Sequence, residues 1–288
     1  MAGNARREMN DQSNELSQLL AIIENVAGGN YSNDIMALTG SDVPGPIRII
    51  AEAMGMMMVK VETREYQLEL LVQELRSLNE QIKRNSLQTV SSMAQALEAR
   101  DAYTRGHAER VAGIAALIAC EMGLAPVTVE LVRTAGVLHD IGKIGCSDRI
   151  FQPHEARNPP DVVKEIMAHP GAGAEILKHL DFLGEVVTII HAHHERIDGK
   201  GYPRRMKGND IPLGARIIAV ADGYDAMTTD RPYQKGMTHQ AALEILRGQA
   251  GAKWDADCVA AFERLQVIAP AQEQPDEGEP TGTTPPAQ

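Results

Sequence analysis

Aromatic residues are scarce in this 288-residue chain, at 3%, with one Trp, six Tyr and three Phe. Sheets concentrate aromatic and β-branched side chains, so the scarcity argues against a β core. Apolar residues still reach 43%, with thirteen Met among many Ala, Leu, Ile and Val, which suits helix packed on helix. Cysteine is scarcer still. Cys120, Cys146 and Cys258 form no CxxC pair and read as ordinary thiols of a reducing compartment. Basic charge is also short: 28 Lys and Arg face 39 Asp and Glu, a net charge of −11. That excludes the basic footprint of a protein that binds DNA or RNA. A small anionic ligand stays open, because a bound cation can dominate the field inside a site. The N-terminal residues have no apolar core of a signal peptide. No run approaches the ~20 apolar residues a spanning helix needs. The expectation is a cytoplasmic protein with neither membrane nor nucleic-acid polymer as partner.

The length allows one large domain with a smaller appendage. Residues 1–13 are polar and are expected to be disordered. Residues 14–65 hold two helical patches. The first, Leu16, Leu19, Leu20, Ile22, Ile23 and Val26, repeats at three and four residues, as one buried helix face should, and stops at Gly28-Gly29-Asn30. A connector with Ile35, Leu38 and Val43 leads through Pro44-Gly45-Pro46 to the second, Ile47, Ile50, Ala51, Met54, Met57, Met58 and Val61. Residues 66–92 then read as a coiled-coil linker. Val61, Leu68, Leu75 and Ile82 fall seven apart, with Leu71 and Leu78 between them, the seam of a parallel homodimer. Asn85 breaks the seam, and Val90, Met93 and Leu97 resume four residues out of step, which locally unwinds a supercoil. Residues 93–270 form the main domain, helical throughout, with helices over Ala108–Cys120, Thr128–His139, Asp161–His169, Phe182–His193 and Arg216–Met227. The tail, 271–288, is Pro, Glu, Gln, Gly and Thr and is expected to be disordered.

Seven residues of the main domain stand out: His107, His139, Asp140, His169, His193, His194 and Asp222. Imidazole and carboxylate together suit divalent transition metals. Seven ligands are too many for one ion and about right for two with open positions; adjacent metals can clamp a phosphodiester for in-line displacement. His154, His179, His191 and His239 read as capped or surface histidines, and Cys146 as a half-buried bystander.

The motifs that carry these residues resemble the HD-GYP family. They are Arg100-Asp101-Ala102-Tyr103-Thr104-Arg105-Gly106-His107, His139-Asp140-Ile141-Gly142-Lys143, Ala168-His169-Pro170, His193-His194-Glu195-Arg196-Ile197-Asp198-Gly199-Lys200-Gly201-Tyr202-Pro203 and Asp222-Gly223-Tyr224-Asp225-Ala226-Met227 through Arg231-Pro232-Tyr233. The resemblance implies an all-α, HD-type metallohydrolase domain and hydrolysis of cyclic di-GMP, either to pGpG or onward to GMP, by a hydroxide bridging two Fe or Mn ions. It puts His107, His139, Asp140 and Asp222 on one metal, and Asp140, His169, His193 and His194 on the other. Lys143 would contact the scissile phosphate and assist the leaving oxygen. Asp225 and Arg231 would line the substrate pocket, and Tyr202 would touch substrate or a partner. Residues 14–65 are similar to a HAMP signalling module, which implies regulatory input through a partner protein, a small ligand or the module itself. Tyr103 stands where some relatives carry a Glu for a third metal. The segment Phe151-Gln152-Pro153-His154-Glu155 and Gln234 also depart from the family pattern, which puts substrate affinity in question. Two alternatives stay open: hydrolysis of another cyclic dinucleotide, and a non-catalytic cyclic di-GMP sensor.

Overall fold

The computed structural model describes residues 2–29, 33–100, 106–151, 159–230 and 235–268, with side chains from Ser13 to Leu265. Its regular structure is helical; among the described residues the one β feature is an isolated bridge between Ala250 and Trp254. The chain divides into two units, Met1–Arg84 and Asn85–Gln288.

The first unit contains helix α1 (Ala2–Ala27), a 3-10 turn at Asn33–Thr39 and most of helix α2 (Gly45–Glu98). Residues 1–13, expected to be disordered, are instead helical backbone from Ala2 onward. Their Ala, Arg, Glu and Met residues are good helix formers, and that propensity overrides the polar composition. Leu19, Ile22, Ile35, Leu38, Ala51, Met54 and Met58 make a small core, with Val26 and Ile47 packed against it. Leu16, Leu20, Ile23, Ile50 and Met57, read as part of the same faces, are 38–54% exposed. The heptad positions Leu68, Leu71, Leu75, Leu78 and Ile82 are 50–60% exposed.

The second unit takes the end of α2 and adds α3 (His107–Glu121), α4 (Pro126–Leu138), α5 (Pro160–Leu177), α6 (Gly184–Ala192), α7 (Leu213–Thr228), α8 (His239–Gly248) and α9 (Ala256–Ile268). The heptad phase changes where α2 enters this unit. Leu87 and Val90 pack partly against its core, Ala94 lies within the core, and Leu97 is buried. Met93, read on the same stripe, stays outside. α3 buries Ala108, Ala112, Ala115, Ala116 and Ala119 and neighbours α4, α7 and α9. Short side chains let helix axes approach closely, so a dense core forms with few aromatics. Ile217, Ile218, Val220 and Ala221 of α7 are fully enclosed, alongside Ile118, Leu138, Leu177, Ile190, Leu246 and Phe262.

The helix expected to end at His169 runs on to Leu177 with Pro170 inside it. Proline removes the N–H that would bond the carbonyl four residues back, here that of Ile166. The His169 imidazole takes over that carbonyl: Nδ1 lies 2.5 Å from Ile166 O. The tail, residues 152–158, Arg231 and Gln234 lie outside the described residues. Among those described, no helix is long and apolar enough to cross a membrane.

Candidate metal centre

Helix ends deliver most of the site. His139 and Asp140 directly follow α4, and His193 and His194 directly follow α6. The last carbonyls of a helix lack partners within it. His139 Nδ1 lies 2.8 Å from Gly136 O, and His193 Nδ1 2.6 Å from Ile190 O. A carbonyl can only accept, so Nδ1 donates in His139, His169 and His193, which leaves each Nε2 to face the cluster. His107 opens α3, whose N-terminus is held by Glu98 accepting from the backbone of Gly106 (3.1 Å) and Ala108 (2.5 Å). Asp225, one turn beyond Asp222 on α7, lies 2.7 Å from His107 Nδ1 and orients that ring in the same way.

Two glycines let the pieces meet. A Cβ on Gly142 would stand 1.9 Å from the carbonyl oxygen of His169, so the turn after Asp140 can rest on α5 only without one. A Cβ on Gly201 would stand 2.4 Å from the Arg196 nitrogen and 2.6 Å from the His194 oxygen. The 199–206 loop is tied down by buried Glu195, which accepts from the backbone of Arg204 (2.6 Å) and Met206 (3.0 Å).

The Nε2 atoms converge on carboxylates. His107, His139 and Asp140 form one group and His169, His193 and His194 another, each with ligand atoms within 4.8 Å of one another. Asp140 faces both: Oδ2 is 3.6 Å from His139 Nε2 and 4.0 Å from His107 Nε2, while Oδ1 is 3.2 Å from His169 Nε2. Asp222 Oδ1 lies 3.4 Å from His107 Nε2. His169 Nε2 and His193 Nε2 face each other at 3.2 Å. Each ring commits its Nδ1 to a carbonyl, so this contact brings together the two nitrogens left to serve as ligands. Clustered imidazoles and carboxylates of this kind could hold a cation, and the donor set fits divalent transition metals.

Electrostatics keep the cluster ready to bind. Burial lowers the pKa of His139, pushes that of His193 far down and brings His194 to about 4, so these rings are neutral at pH 7. Burial alone would raise the Asp140 carboxyl. Lys143, with Nζ 2.5 Å from Oδ2, is the foremost of the groups that outweigh it and hold the carboxyl well below its ordinary value.

The structure thus brings His107, His139, Asp140, His169, His193, His194 and Asp222 together, with Lys143 on Asp140. Asp225, read from sequence as a substrate contact, is almost fully buried against His107 and Arg110. Tyr202 stacks on His194, ring centroids 4.8 Å apart. The Cys146 thiol contacts the Glu165 carbonyl at 3.8 Å. Sequence reasoning passed over Arg110, which grips Asp225 at 2.6 and 3.0 Å. It lies three residues after His107, a helical spacing that could have revealed it. It also passed over Lys253 and Trp254. They lie far down the chain from every motif, and no local pattern marks them.

The HD domain profile matches residues 91–258, more than half of the chain and all seven of the clustered His and Asp residues. The chain belongs to the HD domain family. Its HD domain is similar to the cyclic di-GMP phosphodiesterase response regulator RpfG of Xanthomonas campestris, 38% identical over 192 residues, covering 66% of this chain and 50% of that protein. It is also 39% identical over 172 residues to a cyclic di-GMP phosphodiesterase of Thermotoga maritima, covering 59% of this chain and 46% of that one. The chain spans about half the length of the curated relatives it matches. Among solved structures it shares its fold with a cyclic GMP-AMP-specific phosphodiesterase of V. cholerae. That likeness has a TM-score of 0.51 at 22% identity, over 63% of this chain and 48% of the other.

Proposed function

We propose that this HD-domain protein is a metal-dependent phosphodiesterase that opens cyclic di-GMP to linear pGpG and carries it onward to GMP. The observation that carries the reading is the buried acceptor cluster: two ligand groups share Asp140 beside a cavity of about 550 Å³ that His193, His194 and Asp222 line. A cavity of that size suits a dinucleotide better than a lone phosphate. The names of the relatives above support the same substrate class.

His107, His139, Asp140 and Asp222 would hold one ion, and Asp140, His169, His193 and His194 the other. Fe or Mn suits such donors. Bound there, the metals would supply an activated water and neutralise phosphate charge. Water adds to phosphorus, the bond from phosphorus to the ribose 3′ oxygen breaks, and the departing oxygen takes a proton. We assign that proton to Lys143, whose ammonium sits on Asp140, and phosphate contact to Lys143 and Arg231. Asp225 and Arg110 hold His107 at its angle, and Tyr202 supports His194.

The exposed heptad stripe of α2 supports a parallel homodimer, with the first unit as a HAMP-like module that takes its input from a regulatory protein. A second reading, hydrolysis of cyclic GMP-AMP, draws on the V. cholerae neighbour. Turnover of cyclic di-GMP in competition with cyclic GMP-AMP and cyclic di-AMP decides between them. The account expects at least tenfold preference for cyclic di-GMP in kcat/KM. Preference for cyclic GMP-AMP would transfer the assignment to the second reading.

A further inference from the structure

The cavity reaches beyond the metal ligands. Besides His194 and Asp222, its lining includes Tyr202, Arg196, Lys253 and Trp254. Trp254 is fixed to the ligand-bearing helix: its indole N–H donates to Ala219 O at 2.9 Å, one turn before Asp222, and the ring is 3% exposed. The Lys253 ammonium lies over that ring, 4.2 Å from its centroid, a cation–π contact that anchors it at the cavity wall.

Lys253 differs from the other cation there. Arg196 is matched by Asp198, at 2.6 and 3.0 Å. Among the described residues no carboxylate lies within ion-pair distance of Lys253. Burial and the neighbouring Arg196 both push its pKa below the ordinary lysine value. An anion in the cavity would relieve both effects at once. A cyclic dinucleotide carries two phosphodiesters, and the metal cluster can act on only one at a time.

We propose that Lys253, seated on Trp254, forms a subsite for the second, unreacted phosphate of the substrate. The proposal rests on the phosphodiesterase reading above and adds the residue that distinguishes a two-phosphate ligand from a single phosphodiester. Arg and Lys differ in shape but share the charge, so the Lys253→Arg variant should keep most of the effect and Lys253→Gln should lose it.

Two readouts on the Mn²⁺-loaded full chain test this. In steady-state kinetics, Lys253→Gln should raise KM for cyclic di-GMP about tenfold with kcat within threefold. Its kcat/KM for cyclic di-GMP should fall about tenfold relative to that for bis(p-nitrophenyl) phosphate, which has one phosphate; Lys253→Arg should restore the ratio. In stopped-flow mixing, emission from Trp254, the sole tryptophan of the chain, should change when cyclic di-GMP binds and respond at about tenfold higher ligand in Lys253→Gln. Wild-type turnover with an unchanged KM in Lys253→Gln, or equal loss on both substrates, would overturn the subsite alone. Binding reported by Trp254 without turnover would overturn the phosphodiesterase reading and leave the subsite standing. Neither binding nor turnover would overturn both.

Discussion

Pro170 shows how one residue can serve the site at the expense of its helix. An interior proline disfavours a helix by up to about 3 kcal/mol. Here its missing N–H leaves the Ile166 carbonyl to His169. Pro170→Ala should therefore stabilise the protein by about 1–3 kcal/mol in chemical denaturation. Its new N–H would compete with His169, so Mn²⁺ affinity should fall about tenfold, as loss of an orienting partner does elsewhere. A stabilised variant with unchanged affinity would refute the orienting role. The clustered residues were legible in the sequence because they come as His-Asp and His-His pairs and lone His and Asp residues within recognisable motifs. The groups that aim them were harder to read, since Gly136, Ile166 and Ile190 contribute only backbone carbonyls, which no side chain announces. Asp225 was visible, but its role became readable only once α3 and α7 were seen side by side.

At the scale of elements, two devices lend themselves to measurement. Asp255 begins α9: it accepts from the backbone of Asp257 (2.8 Å) and Cys258 (3.1 Å) and pairs with Arg216 at 2.6 Å. Burial would raise its carboxyl, yet Arg216 and the helix N–H groups outweigh this and hold it below the ordinary value. A lowered folded pKa contributes stability above the unfolded carboxylate value, near 4, and loses it as pH falls through the folded value. Asp255→Ala should cost about 2–4 kcal/mol at neutral pH, from a lost cap and an unpaired Arg216. The gap from wild type should narrow below about pH 4. A pH-independent gap would contradict the ion-pair account. The second device is the heptad stripe, which a lone chain leaves exposed. Leu75→Cys should form a disulfide-linked dimer in oxidising buffer, and a monomer alone would exclude the parallel stalk. The pattern marks an apolar stripe along α2 that is exposed in the single chain. It could not say that the shift after Asn85 marks packing of Ala94 and Leu97 into the second unit, because periodicity reports an apolar face but not what covers it.

For the whole molecule, the division at Arg84 and Asn85 separates a small Met-rich core from the core that carries the clustered His and Asp residues. A chain starting at Asn85 keeps Leu87, Val90, Ala94 and Leu97, and so should fold and bind the same number of metals as the full chain, while being monomeric where the proposed stalk makes the full chain a dimer and turning over at an altered rate. Unchanged mass and rate would remove any regulatory role for the first unit. The all-helical class followed from composition and periodicity. The cavity wall built by Lys253 and Trp254 did not, because only tertiary packing brings α7 and the turn before α9 together. In the proposed function, Asp140 joins two metal groups into one phosphodiesterase site. The most direct test is anaerobic reconstitution of the full chain with Fe²⁺ or Mn²⁺, measuring bound metal and cyclic di-GMP products in the same sample beside Asp140→Ala. The account predicts about two metals per chain with pGpG and GMP from the wild type, and loss of metal together with at least a thousandfold drop in turnover in the variant, as expected when metal-supplied charge stabilisation is removed. Two bound metals without product in the wild type, or full turnover in the variant, would contradict it.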